Sequence, residues 1–154
     1  MFYSSLELKE LNQENIPKEI GLYTLIDKET KAISFIGTAT GKNGLYHRIW
    51  NQHLNPVYLE TRKHIFTTLD IYQLEHPIYH NNQLAIDKST FRKKVARKYL
   101  LKAGTESVNY IKEHFLLSFA IYPPEQQETV MEKAKMLIAL HQPIYNGRLR
   151  LHSK

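Results

Sequence analysis

Six cations stand close together in one stretch: Arg92, Lys93, Lys94, Arg97, Lys98 and Lys102. The surrounding pattern predicts a helix over residues 89–103, with Ser89 as N-cap and Gly104 as C-cap. On that helix Phe91, Val95, Ala96, Tyr99 and Leu100 fill one half of the circumference. Lys93, Lys94, Arg97, Lys98 and Lys102 fill most of the other half. Such a face has the chemistry to track phosphates, without reading sequence by charge alone. Lys93, Lys94 and Arg97 are its candidate substrate contacts, although a solvated amphipathic face gives the same pattern. Arg92 falls inside the apolar arc and needs an acidic partner. A membrane-surface helix is disfavoured, because the bulky apolar half is required for a core.

Four shorter strings carry other polar chemistry. They are Gly21-Leu22-Tyr23, Phe35-Ile36-Gly37, Leu45-Tyr46-His47-Arg48-Ile49 and Pro143-Ile144-Tyr145-Asn146. A guanidinium at Arg48 can face a phosphate in bidentate fashion. His64, His76 and His80 fall in one segment, but Pro77 argues against a helix joining the last two. There are no cysteines, so disulfides, thiolate metal sites and cysteine nucleophiles are excluded.

The 154 residues point to one domain with an ordinary core. Lysine and arginine number 21 against 15 acids, a net charge of +6, which favours a polyanionic partner. Ten tyrosines are available for stacking or phosphate contacts, although strand tyrosines also serve as half-buried core. No apolar run reaches membrane-spanning length and the first residues lack a signal-peptide pattern. The expectation is a cytoplasmic protein with no membrane association.

The elements that must position these groups read as follows. Residues 5–12 suggest a short helix. Residues 21–27 and 32–37 suggest a hairpin around the polar turn 28–31. Residues 45–54 suggest a helix stopped before Pro56. Residues 57–87 carry no clear period. Residues 105–114 read as a helix, 115–122 as a strand ended by Pro123-Pro124, and 125–141 as a helix closed by Pro143.

From about residue 19 to residue 150 this order resembles the GIY-YIG nuclease superfamily. The resemblance implies an α+β fold: a small three-stranded antiparallel sheet flanked by helices, with a helical insertion at about 57–113. It implies an endonuclease that hydrolyses DNA phosphodiester bonds with Mg2+ or Mn2+. Tyr23 matches the first motif tyrosine, which positions water or the scissile phosphate, and Arg48 matches the catalytic arginine. Asn146 matches a closing asparagine that supports the site or touches substrate; a turn asparagine is its plainer role. A histidine or tyrosine often follows the arginine by four residues; here that place is Gln52, with His53 one further. At about 100° per residue, His53 points roughly 140° from Arg48 in an α-helix.

Two matched positions depart from the pattern. Phe35 stands where the second tyrosine belongs, and a phenyl ring cannot relay a proton. The metal-holding glutamate falls on Ala134, when counted back from Pro143. Ala134 shares an apolar arc with Val130, Leu137 and Ile138. Glu132 is the nearest acid, about 160° away on the wheel. It serves as catalytic metal ligand only if the helix is two residues out of that register. The alternative function is a catalytically degenerate fold that binds nucleic acid or another partner.

Overall fold

A computed structural model describes residues 5–147. In chain order the elements are β1 (Leu6–Glu7), β2 (Ile20–Asp27), β3 (Ile33–Ala39) and α1 (Gly44–Tyr46), which runs into a π-helical stretch (His47–His53). Then come β4 (Leu59–Glu60), α2 (Ile71–Glu75), β5 (Ile78–His80), β6 (Gln83–Asp87), α3 (Thr90–Tyr99) and α4 (Thr105–His114). β7 (Phe115–Tyr122), α5 (Gln127–His141) and a 3-10 turn (Ile144–Asn146) complete the order. The fold is α+β, with two antiparallel sheets. No helix among the described residues is long and apolar enough to cross a membrane.

The chain divides into two compact units. One runs up to Trp50 and resumes at Lys112; the other is Asn51–Ile111. The first is built on a sheet of order β1-β7-β2-β3. The β2–β3 hairpin closes at Asp27, whose Oδ1 accepts the N–H groups of Glu29 and Thr30, each at 2.9 Å. Such a carboxylate supplies a turn's acceptor locally. β7 pairs along the whole of β2, from Ile20 opposite Tyr122 to Asp27 opposite Phe115. With partners on both edges and residues 20–25 buried, β2 reads as an almost unbroken apolar run.

Where a helix is expected over 5–12, the chain instead forms β1 and one 3-10 turn (Leu8–Glu10). Leu6 lies opposite Leu117 and Glu7 opposite Leu116. This pairing covers the Leu116–Leu117 part of the outer edge of β7, and backbone groups there gain partners that a local helix would not give them. The sheet therefore has four strands, one more than the resemblance implies.

Alternation sends successive strand residues to opposite faces. Ile20, Leu22 and Ile36 pack against Val130 and Ala134 of α5, with Leu137 and Ile138 at the margin. Tyr23, one residue from Leu22, therefore lies on the face away from α5.

The second unit corrects the expected helical insertion. It holds a three-stranded sheet of order β4-β6-β5, flanked by α2 and α3. Strands of two, three and five residues are too short for a period-two pattern to emerge. At its centre Arg92 is fully buried and paired with buried Asp87 at 2.9 Å. The helix expected over 89–103 begins as anticipated, with Ser89 Oγ accepting the Arg92 N–H. It stops at Tyr99, where Leu100 takes a left-handed conformation (φ 56°). Gly104 is no cap of α3. At φ 83° it precedes α4 and donates its N–H to Asp87 Oδ1 at 2.9 Å.

Candidate functional site

Four of the strings converge in the first unit through backbone requirements. Gly37 lies opposite Tyr23 in the β2–β3 ladder. A Cβ at Gly37 would overlap the Tyr23 ring and its hydroxyl. The tyrosine thus lies flat across the neighbouring strand, and only glycine leaves it the room. Tyr23 is 1% exposed.

The element carrying Arg48 is pinned just as closely. The N–H groups of Leu45 and Tyr46 donate to Glu19 O at 2.9 Å and Pro17 O at 2.8 Å. These are helix N-terminal donors that otherwise lack partners. At Gly44 (φ 36°) a Cβ would strike the Glu19 carbonyl. Leu45 is fully buried, and its side chain stands against Gly21.

Arg48 itself is exposed and donates from Nε to Thr38 O at 3.2 Å. It also hydrogen-bonds the Tyr23 side chain. Burial pushes the Tyr23 phenol above its ordinary value, and the Arg48 charge and hydrogen bond only partly offset this. The phenol is therefore protonated at neutral pH. A guanidinium only donates, so the Tyr23 oxygen accepts from Arg48. A protonated phenol cannot abstract a proton, while the exposed Arg48 beside it has the chemistry to meet an anion. Phe35 is buried beside it, with ring centroids 6.2 Å apart and planes tilted 44°. It contributes packing and no proton.

Asn146 reaches the sheet edge rather than this pair. Its Oδ1 accepts the Ile36 N–H at 2.8 Å and its Nδ2 donates to Ile36 O at 2.9 Å. One amide thus imitates a neighbouring strand along β3. Tyr145, buried beside Phe115, anchors the turn.

The α5 register agrees with the helical wheel. Val130 and Ala134 are its buried positions, while Glu132 is exposed. The two-residue offset that would turn Glu132 inward is not adopted. Ala134 is 4% exposed, in an apolar cluster. That environment offers no carboxylate and would penalise one. Among the described residues, no group of three or more His, Asp or Glu could hold a metal ion. The residues present do not fit a Mg2+ or Mn2+ site at the position the resemblance implies.

His53 ends a π-helical stretch, so a 100°-per-residue wheel does not describe its direction from Arg48. Its ring is buried in the second unit, with Nδ1 at 2.6 Å from Ser89 Oγ and the ring T-shaped against Phe91. It helps fasten the start of α3.

The cationic helix is less free than its sequence suggests. Arg97 is held by Asp70, through Nε at 2.9 Å and Nη2 at 3.3 Å. Lys93 and Lys94 are half-buried. Burial, helped by the charge of Arg97, lowers the Lys93 pKa. Arg92 finds the acid it needs in Asp87, five residues earlier across the Ser89 cap. Sequence spacing did not mark Asp70 or Asp87 as these partners.

No protein-family model, curated protein or solved structure matches this chain.

Proposed function

We propose that this chain is a nucleic-acid-binding module on a GIY-YIG-like scaffold, in which the phosphate-facing half of the site is retained and the metal-dependent half is degenerate. The observation that carries this reading is the buried Tyr23 hydroxyl, seated over Gly37 and hydrogen-bonded by the exposed Arg48. The exposed Arg48 guanidinium presents N–H donors, which is what a phosphate oxygen requires, and the buried Tyr23 holds it in place. The net charge of +6 supports the same partner class. Phe35 and Ala134 support the loss of catalysis, because neither supplies a proton relay or a carboxylate.

The second reading is a Mg2+- or Mn2+-dependent DNA endonuclease. The Tyr23–Arg48 pair favours it equally, and it requires Glu132 to supply the metal carboxylate from an exposed helix face.

Purified protein, mixed with fluorescent duplex and branched DNA in Mg2+ or EDTA, separates the two. A binding module shows salt-dependent affinity that is the same in both buffers and leaves plasmid intact. Arg48→Ala then weakens binding about tenfold, as loss of a hydrogen bond to a charged group predicts. Metal-dependent nicking that disappears in both Arg48→Ala and Glu132→Ala overturns the binding-only reading in favour of the nuclease. No DNA affinity at low salt refutes both.

A further inference from the structure

The second unit contains a cleft that neither function reading uses. Its volume is about 610 Å³, within the range of small-ligand sites. The lining comes from Pro56, Val57 and Leu59, from β5, and from residues 102–106 with Asn109 of α4. Val57, Leu59 and Ile78 supply apolar lining, while Lys102, Glu106 and Asn109 supply polar groups. Tyr79 of β5 also lines it and is 66% exposed. It also lines a second, smaller hollow.

Exposing a ring this far forgoes burial. Among the described residues the Tyr79 ring stacks on no other, and the side chains of Lys102 and Asn109 make no hydrogen bond or ion pair. Glu106 is partly engaged, since its Oε2 accepts the Lys102 N–H at 2.8 Å. The cleft thus offers a flat aromatic face, an amide that both donates and accepts, a carboxylate and an ammonium. A nucleobase uses the first three, by stacking and by its hydrogen-bonding edge; its phosphate uses the fourth.

The charge of the unit fits this occupant. Residues 51–111 carry nine Lys or Arg against five Asp or Glu. Three of those acids are paired with arginines: Glu60 with Arg62, Asp70 with Arg97, and Asp87 with Arg92. The excess positive charge is therefore carried by lysines, Lys102 among them.

We propose that this cleft binds one unstacked base of a single-stranded nucleic acid, stacked on Tyr79, with its phosphate at Lys102. The proposal rests on the nucleic-acid reading above and adds the strand state and the second contact point. A base within duplex is already stacked on its neighbours, so the cleft favours single strands.

The test uses the full chain, a fluorescent 15-residue oligothymidylate, the same length of oligouridylate, and a blunt DNA duplex. Variants are Tyr79→Ala, Tyr79→Phe and Lys102→Gln, all exposed positions. Wild type binds the single strands. Tyr79→Ala weakens this roughly five- to a hundredfold, the range for one stacked base, and Tyr79→Phe stays within about twofold. Lys102→Gln lowers affinity and flattens its salt dependence. Duplex affinity is unchanged by the Tyr79 variants. Single-strand binding that is undiminished in Tyr79→Ala overturns the cleft proposal alone. A wild-type protein that binds none of the three probes overturns it together with the nucleic-acid reading.

Discussion

Replacing Arg92 with methionine tests the account of the second unit most directly. The guanidinium donates to Asp87 Oδ1 at 2.9 Å and to four backbone carbonyls: Gln52 at 3.0 Å, His53 at 3.2 Å, Asn55 at 2.7 Å and Tyr58 at 2.6 Å. One side chain thus ties residues 52–58 to the start of α3. Burial lowers the Arg92 pKa, with the charge and hydrogen bond of Asp87 opposing that effect. Methionine has similar length but no donor, so Asp87 loses its cation and all four carbonyls lose a donor, although Gln52, Asn55 and Tyr58 each keep one backbone N–H, from Asn55, Tyr58 and Lys88. Breaking a buried ion pair on one side costs about 3–5 kcal/mol. A carbonyl left with no donor adds about 1–3 kcal/mol. The total approaches the lower end of a whole domain's stability, about 5–15 kcal/mol. Arg92→Lys does not rescue it, since three donors on a point charge cannot span five acceptors. Asp87 retains Gln73 Nε2 at 2.8 Å and the Gly104 N–H at 2.9 Å, so the aspartate is not wholly abandoned. The assay is urea unfolding with hydrogen exchange read peptide by peptide. Protection across 51–111 should collapse well before that of the β2–β7 strands. The double variant Asp87→Asn/Arg92→Met should cost less than the sum of its singles by about 1–3 kcal/mol. A loss below about 1 kcal/mol for Arg92→Met, or strict additivity, would refute the reasoning.

Two further perturbations follow from the same geometry. Gly37→Ala forces a methyl into the Tyr23 ring, while Gly41→Ala enters open space. The first should cost about 1–3 kcal/mol and lower the melting temperature by several degrees, with Gly41→Ala as the silent control; equal melting of the two variants would show that Tyr23 does not need the gap. In acid, the second unit should lose stability as pH falls. The hydrogen bond from Arg62 is the main cause that holds the Glu60 pKa at about 2. Burial alone would raise the Asp70 pKa, but the Arg97 hydrogen bond, the Thr67 N–H and nearby positive charge keep it lowered. Carboxylates with depressed folded pKa values stabilise fully above about pH 4.5 and lose that contribution as pH drops toward about 2. Unfolding followed by circular dichroism across that window checks this. Arg97→Gln should flatten the profile, and an unchanged profile would remove Asp70 from the account.

Some of this molecule is legible from its order of residues alone. The helix at 105–114 and the strand at 115–122 fall where periodicity and the two prolines place them. The buried stripe of α5 is as readable, because Val130 and Ala134 recur at helical spacing in a helix long enough to show it. The departures at Phe35 and Ala134 are also visible in the sequence, since residue identity decides what a side chain can donate or ligate. The need of Arg92 for an acid could be stated in advance, though the acid could not be named.

What the chain order could not supply is partnership across distance. Nothing near residues 5–12 announces that Leu6 will pair with Leu117, because the preference comes from an open strand edge more than a hundred residues away. The second sheet stayed hidden for the same reason, its strands being too short to carry a pattern of their own. Asn146 resembled a site residue, but the backbone it holds, that of Ile36, lies 110 positions earlier and could not be named from the sequence. Arg97 resembled a free phosphate contact until Asp70 folded against it. Local periodicity depends on neighbours in sequence and survives in the string. Hydrogen bonds and charge pairs depend on neighbours in space, and only the folded chain assigns them.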